Sequence, residues 1–426
     1  MFEKIWKLPF WQKVLLGFAL GVSAGVIFGE QATALKPLGD GFIALIKMLV
    51  APLVFFAIAV SFTNLSNGSD IKRLGFKTVL MFMFTATVAS VIGLSLGTWL
   101  DLGSTMQLEA AQVNERIIPS FSQIIIDMIP VNPIAALAEG KVLQIIVFAI
   151  FVGLSVNAIG EKGEPMKRFI QSGAEVMYQI TRYVLKLTPI GVFGLMAWVV
   201  GAYGLETLLP LAKFIGAIYL ACLIHILFVY GGLVKFVAKL NPITFFKKAF
   251  PAQIVAFTTA SSYGTLPMSN KCVTEGMGVS KQYSSFVLPL GATMNMDGCG
   301  GIYPAIAAIF IAQLYGIDLA WTEYLLIMVT ATVASIGTAG VPGSAMVMLT
   351  VTLNAVGLPL EGIAFIAAID RIIDMIRTAT NVTGDMMTAV VVGKSEGLVD
   401  VDVFNGDLLN QDGQGDIKQT HSQPQA

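Results

Sequence analysis

Residues 79–100, VLMFMFTATVASVIGLSLGTWL, run for 22 positions without one ionisable side chain. A helix needs about 20 such residues to cross the hydrocarbon of a bilayer. Runs at 14–29, 48–62 and 143–156 approach that length, and apolar segments recur around 188–202, 211–234, 284–315 and 324–352. Hydrocarbon offers no partner to a free backbone N–H or C=O, so spanning segments of this kind are helices. Charged residues make up only 12% of the 426, about half of what a soluble domain carries. The fold class is an all-α polytopic membrane protein.

Where the charge sits matters more than its net value of −1. Lys4, Lys7 and Lys13 precede the first span, and Lys72, Arg73 and Lys77 follow the second. Lys162, Lys167 and Arg168 share one later connection; Lys235, Lys239, Lys247 and Lys248 share another. The alternate connections are almost free of Lys and Arg, which places the N-terminus in the cytoplasm. The start lacks a short apolar core with a small-residue cleavage site, so 14–29 reads as a retained helix. Residues 397–426 are polar and acidic and read as a disordered cytoplasmic tail. Three scattered cysteines and two histidines, His225 and His421, form neither a disulfide framework nor a metal cluster. His225, within CLIHILFVY, reads as a packed or hydrogen-bonded helix residue. Gly17, Gly21, Gly25 and Gly29 recur every fourth position and flatten one face of the first helix, for contact within the subunit or between subunits.

Two regions are not ordinary spans. Residues 242–276 break at TTASSYGTLP, and residues 324–360 break at IGTAGVPGS. Each arm is too short to cross alone. Broken apolar segments at corresponding places in two halves point to a transporter binding site between inverted repeats.

The segment 369–385, IDRIIDMIRTATNVTGD, raises the functional question. Asp370, Asp374, Arg377, Asn381 and Asp385 are spaced 4, 3, 4 and 4 apart, which puts them on one face of a helix. A charge at the bilayer centre costs at least ~2.5–3.5 kcal/mol and normally faces a partner or a cavity. Together with Asp297 in GATMNMDGCGG, the carboxylates Asp370, Asp374 and Asp385 give −4; Arg371 and Arg377 give +2, leaving −2. Either carboxylates there are protonated or cations bind. Thr293, Asn295, Asn381 and Thr383, with carbonyls freed where a helix unwinds at NMDG, are hard ligands suited to an alkali cation. Arg377, permanently charged and forked, suits a carboxylate on the cargo. Arg371, at the stripe's edge, reads as a structural ion-pair residue.

NMDG, D…DMxRTxxNVTGD, a serine-containing break ending in GTLP, and SIGTAGVPG occur here in one order. Together they resemble the dicarboxylate/amino acid:cation symporter family, which includes glutamate/aspartate transporters and excitatory amino acid transporters. The likeness covers about residues 10–396. It implies a homotrimer in the cell inner membrane, in contact with lipid and not with nucleic acid, and a transporter, not an enzyme. Each subunit would carry eight transmembrane helices and two re-entrant helical hairpins, arranged as inverted repeats. Scaffold helices would lie at 1–75 and 103–206, and a transport domain at 76–102 and 207–396, moving as an elevator.

Residue by residue, the resemblance implies that Arg377 binds the side-chain carboxylate, Asp374 the amino group, and Thr378 and Asn381 the α-carboxylate. Ser262, Val341 and Gly343 would close over the substrate, with Met296 and Cys299 lining it. One sodium would sit on Asp385, Asn295 and Asn381. A second would sit on carbonyls of Thr293, Ser335, Ile336 and Thr338, and a third on Asp297, Asn295 and Thr85. No cofactor is implied beyond coupling ions, sodium or protons. Departures are Cys299 where threonine is usual, Ala260-Ser261-Ser262-Tyr263 at the first hairpin tip, and Phe82 and Ala86 where sodium-coupled relatives carry hydroxyls. The expected function is symport of an acidic amino acid or C4-dicarboxylate with sodium, the alternatives being proton coupling or a cargo such as cystine. An intramembrane aspartyl protease would need Gly-x-Gly-Asp, and Val382-Thr383-Gly384-Asp385 lacks the first glycine. A passive channel differs by needing no ion gradient.

Overall fold

The structure, a computed structural model, describes residues 10–63, 69–104, 126, 129–338, 340, 343–367 and 369–406. Among them the backbone is helical, with one isolated antiparallel bridge between Val279 and Val399. The longer helices of the first half are α1 (Phe10–Phe28), α2 (Lys36–Thr63), α3 (Ser69–Trp99), α4 (Val142–Ala158), α5 (Glu164–Leu185) and α6 (Thr188–Tyr203). Those of the second half are α7 (Leu208–Ile224), α8 (Pro242–Thr259), α9 (Ser262–Lys271), α10 (Lys281–Met294) and α11 (Tyr303–Leu314). They are followed by α12 (Trp321–Gly337), α13 (Ser344–Ala355) and α14 (Asp370–Ser395).

By length and apolarity, four helical stretches among the described residues can cross a membrane: Gln12–Thr63, Arg73–Trp99, Leu208–Val237 and Lys281–Leu314. The pair Gly160–Leu185 and Thr188–Tyr203, bent by 48°, makes a fifth if it counts as one span. Within α4, α12 and α13, the apolar stretches Gln144–Ala158, Trp321–Ile336 and Ser344–Ala355 are shorter.

Small residues decide how closely the first helices meet. A Cβ built on Gly21 would lie 2.6 Å from the Phe193 carbonyl, and one on Gly25 would lie 2.7 Å from Val200 Cβ. The glycine face of α1 is thus spent on α6 within the same subunit. Gly29 has a different task, ending the helix at φ +53°, a conformation that a side chain penalises. α2 packs on α4, α5 and α6, whereas α3 packs on the 297–314 stretch and α12. α14, whose 26 residues span about 39 Å, is buried against α8, α10 and the 297–302 turn.

Both broken segments form helical pairs whose arms pack on each other. α8 stops where Ala260 turns left-handed at φ +50°. Ser261 then caps α9, its Oγ accepting from the Gly264 N–H at 3.0 Å. The second pair resumes at α13 after Gly343, at φ +77°. The two tips meet at Gly340, whose carbonyl accepts from Ser261 Oγ (3.0 Å) and from Tyr263 N (3.1 Å).

The expected disordered tail is corrected over 397–406. Ser280 N donates to Leu398 O and Asp400 N to Gly278 O, each at 2.9 Å, and Phe404 is wholly buried in the short helix Val401–Asn405. Lys248 supplies a reason. Read in sequence as a cytoplasmic surface charge, it is buried and its Nζ donates at 2.8 Å to the carbonyls of Gly276, Val403 and Phe404. Residues 407–426 of the expected tail lie outside the described residues.

Candidate functional site

Arg377 is the largest fully buried side chain among the described residues. Helical spacing sets Asp370 and Asp374 two turns and one turn before it, and its Nη2 donates to Asp370 Oδ1 at 2.8 Å and to Asp374 Oδ1 at 3.1 Å. Tyr303, from the start of α11, lies beneath the guanidinium with its ring centroid 4.0 Å from Cζ, a cation–π contact that favours the charge. Nε and Nη1 of Arg377 have no partner among the described residues. A buried N–H left unpaired is costly, so this face of the guanidinium is suited to an anion.

Asp374 is the point where several predicted residues converge. Its Oδ2 accepts from Gly343 N at 3.1 Å and its Oδ1 from Cys299 Sγ at 3.8 Å. The second broken segment therefore lies directly over the charged stripe. Ser262, buried at the first turn of α9, reaches the same region through Gly340: a Cβ there would lie 3.2 Å from that of Ser262. Thr378 is buried beside Arg377 on α14. Val341 lies outside the described residues.

The helix does unwind at NMDG. α10 ends at Met294, Asn295 and Met296 leave helical geometry, and the chain resumes in a wide turn, Asp297–Ile302, with i→i+5 bonding. Asn381 holds this break in place: its Oδ1 accepts from Gly298 N at 2.8 Å, and its Nδ2 faces Met296 Sδ at 3.1 Å. Ser335 Oγ accepts from Met296 N (3.0 Å) and donates to Met294 O (3.2 Å), which seats the end of α12 against the break. Thr338 closes that helix end, bonding to Ala334 O at 2.8 Å, and Ile336 is buried beside it. Thr293 donates to Leu290 O at 2.8 Å.

Among the described residues, the two remaining carboxylates, Asp385 and Asp297, form no ion pair with a Lys or Arg. Asp385 accepts from Asn295 Nδ2 at 2.9 Å, and the same nitrogen lies 3.5 Å from Asn381 O. Thr85 Oγ1 meets Asn295 Oδ1 at 3.4 Å. The first proposed sodium set and part of the third are thus contiguous, rich in oxygen and wholly buried. Hard oxygen ligands around an uncompensated carboxylate fit an alkali cation.

A protein-family model described as the sodium:dicarboxylate symporter family matches residues 10–395. The chain belongs to the sodium:dicarboxylate symporter family. It is 39% identical over 403 residues to the proton/sodium-glutamate symport protein of Geobacillus stearothermophilus, covering 91% of this chain and 94% of that one. The proton/glutamate-aspartate symporter of Escherichia coli K12 is 36% identical over 407 residues, covering 91% and 92%. The C4-dicarboxylate transport protein of Laribacter hongkongensis is 33% identical over 422 residues, covering 96% and 94%.

Within this family member, sequence reasoning missed Tyr230 and Tyr303, and it read His225 as a packed or hydrogen-bonded helix residue without naming its partner. Tyr230 Oη donates to Asp297 Oδ2 at 2.7 Å, and His225 Nε2 lies 3.1 Å from the same oxygen. The segment His225–Tyr230 is π-helical; its i→i+5 bonding brings together two residues five apart that an α-helix would splay. Aromatic Tyr303, in an apolar helix, carries no signal in sequence that it lies under a guanidinium.

Proposed function

We propose that the chain is a secondary active symporter that takes up an acidic amino acid or a C4-dicarboxylate, driven by sodium. The observation that carries the reading is Arg377, fully buried with two nitrogens unpartnered among the described residues, near two carboxylates, Asp385 and Asp297, that pair with no Lys or Arg among them. Sodium supplies the missing charge at Asp385 with Asn295 and Asn381, and at the carbonyls of Thr293, Ser335, Ile336 and Thr338. A third ion uses Asp297, whose Oδ1 is unpartnered among the described residues, with Asn295 and Thr85. The cargo then docks its side-chain carboxylate on Arg377 and its amino group on Asp374, with Thr378, Asn381, Met296 and Cys299 around it. The two broken segments act as re-entrant hairpins that close over it through Ser262, Val341 and Gly343.

On this reading eight helices cross the membrane, with scaffold helices at 1–75 and 103–206 and a transport domain at 76–102 and 207–396. The transport domain travels as an elevator, three subunits assemble, and both termini face the cytoplasm of a bacterial inner membrane. The −2 balance explains why only a loaded domain crosses: moving one net charge through 100 mV costs about 2.3 kcal/mol. Proton coupling is the second reading, favoured by Phe82 and Ala86, which bring no hydroxyl to the side of α3 that carries Thr85.

The test is uptake of labelled aspartate, glutamate, succinate and cystine into liposomes, under separate sodium and proton gradients. Accumulation of an acidic substrate that requires an inward sodium gradient is the expected result. Accumulation with a proton gradient alone selects the second reading, and equal flux without any gradient removes symport.

A further inference from the structure

Between α5, α13 and the first turn of α14 lies a cavity of about 390 Å³. Its lining includes Arg182, Lys186 and Arg371 beside Asp370 and Asp374. The two carboxylates are already engaged by Arg377 behind them, at 2.8 and 3.1 Å. Arg182, Lys186, Arg371 and Arg377 give +4, and Asp370 and Asp374 give −2, so the cavity and its back wall carry +2. This local excess is opposite in sign to that of the stripe as a whole.

Arg371 is the informative residue. Its Nη2 reaches the carbonyls of Thr258 and Thr259 only at 3.4 Å each. Nε and Nη1 are buried with no partner among the described residues. Tying α14 to the end of α8 occupies only its Nη2 and leaves the other two nitrogens without a bond among the described residues. Arg182 and Lys186 are exposed and one helical turn apart, so they share a face. Cations at a helix C-terminus offset its dipole, but that role does not account for a third cation facing them from a different helix.

We propose that Arg371, Arg182 and Lys186 form an outer receiving station for the anionic cargo, from which a carboxylate passes inward to Arg377. The proposal rests on the symport reading above and deepens it: this chain recruits anions by charge before it selects them by geometry. A local excess of one charge sign raises ligand concentration and capture rate, and salt erodes that gain. A carboxylate held by Arg371 lies on the same wall as Asp374, so cargo with two carboxylates can bridge the outer and inner arginines.

The experiment uses the full chain in liposomes under a fixed sodium gradient, with ionic strength varied by choline chloride and labelled aspartate and succinate as probes. Arg182→Gln/Lys186→Gln on the scaffold side and Arg371→Gln on α14 are compared with wild type, with Arg371→Lys as the conservative variant. Wild-type KM is expected to rise steeply with ionic strength. Both neutralised variants should show KM raised roughly three- to thirtyfold at low salt, a flattened salt dependence, and a smaller change in maximal rate. Arg371→Lys should restore much of the salt dependence.

Unchanged KM and salt dependence in the double variant and in Arg371→Gln overturns the station. So does a defect confined to Arg371→Gln that tracks only its thermal stability. Calorimetric titration of the purified proteins with succinate and aspartate separates the two proposals. Binding that depends on Arg371, without gradient-driven uptake, sinks symport and spares the station. Uptake with unaltered affinity in the variants sinks the station alone, and neither binding nor uptake sinks both.

Discussion

Replacing Asp385 by asparagine separates charge from shape. Asp385 is 2% exposed and accepts from Asn295 Nδ2 at 2.9 Å. Asparagine is isosteric, and its Oδ1 can keep that hydrogen bond; the negative charge is removed and the second oxygen becomes an NH2 group. For a cation whose charge centre lies about 4 Å from the carboxylate, at an effective dielectric near 20, the attraction is about 4 kcal/mol. At 1.4 kcal/mol per decade this is nearly a thousandfold in sodium affinity. Stability without sodium should move the other way, or not at all, because a buried unpaired carboxylate is itself destabilising.

The assay is thermal unfolding in detergent while sodium replaces choline at constant ionic strength. Wild type should gain stability with the logarithm of sodium concentration, about 2.7 kcal/mol at a hundredfold over Kd. Asp385→Asn should begin at or above the wild-type melting temperature in choline and show a flat sodium response. A variant that is destabilised in choline yet keeps the full sodium-dependent rise would refute the reasoning, since the charge would then be structural and not a ligand.

Arg377→Ala should abolish uptake of acidic substrates, a loss of about 2–5 kcal/mol in binding a paired carboxylate, and should also strand Asp370 and Asp374; calorimetry with aspartate checks it. Gly21→Leu should drive α1 from α6, costing at least about 1–3 kcal/mol, whereas Gly41→Ala, which meets nothing within 4 Å, should melt like wild type. The Lys77 hydrogen bond, with Arg73 beside it, holds the Glu396 carboxyl below its ordinary range. A depressed folded value makes that contribution full above the unfolded pKa of about 4.3 and lost as pH falls through the lower folded value. Distances between spin labels at Phe76 and Asp402 should therefore hold from pH 8 to 5 and broaden only in stronger acid.

Local patterns made much of the candidate site's layout legible. The 4-3-4-4 spacing on α14 is a one-dimensional signal, and so is the NMDG run with its small residues where a helix opens. The breaks at TTASSYGTLP and IGTAGVPGS announce themselves by glycine, proline and hydroxyl content. Contacts between distant elements left no such trace. Lys248 sits in a Lys-Lys doublet that looks like any cytoplasmic loop, and only the fold turns one of the pair inward to the carbonyls of Val403 and Phe404. The polar composition after Gly397 likewise hid Val399 and Phe404, two apolar side chains buried where the first stretch folds back. His225 and Tyr230 converge on Asp297 because of a π-helical turn, a departure from α geometry that amphipathic periodicity cannot register.

The Gly340 carbonyl, shared by Ser261 and Tyr263, makes the two tips behave as a single latch. Parting them forfeits both bonds together, about 1–3 kcal/mol in all at ~0.5–1.5 kcal/mol apiece. At RT of about 0.6 kcal/mol, that gap keeps the unlatched form to somewhere between about a sixth and less than a hundredth of molecules. Such a contact stays made for most of the time yet still yields to modest binding energy.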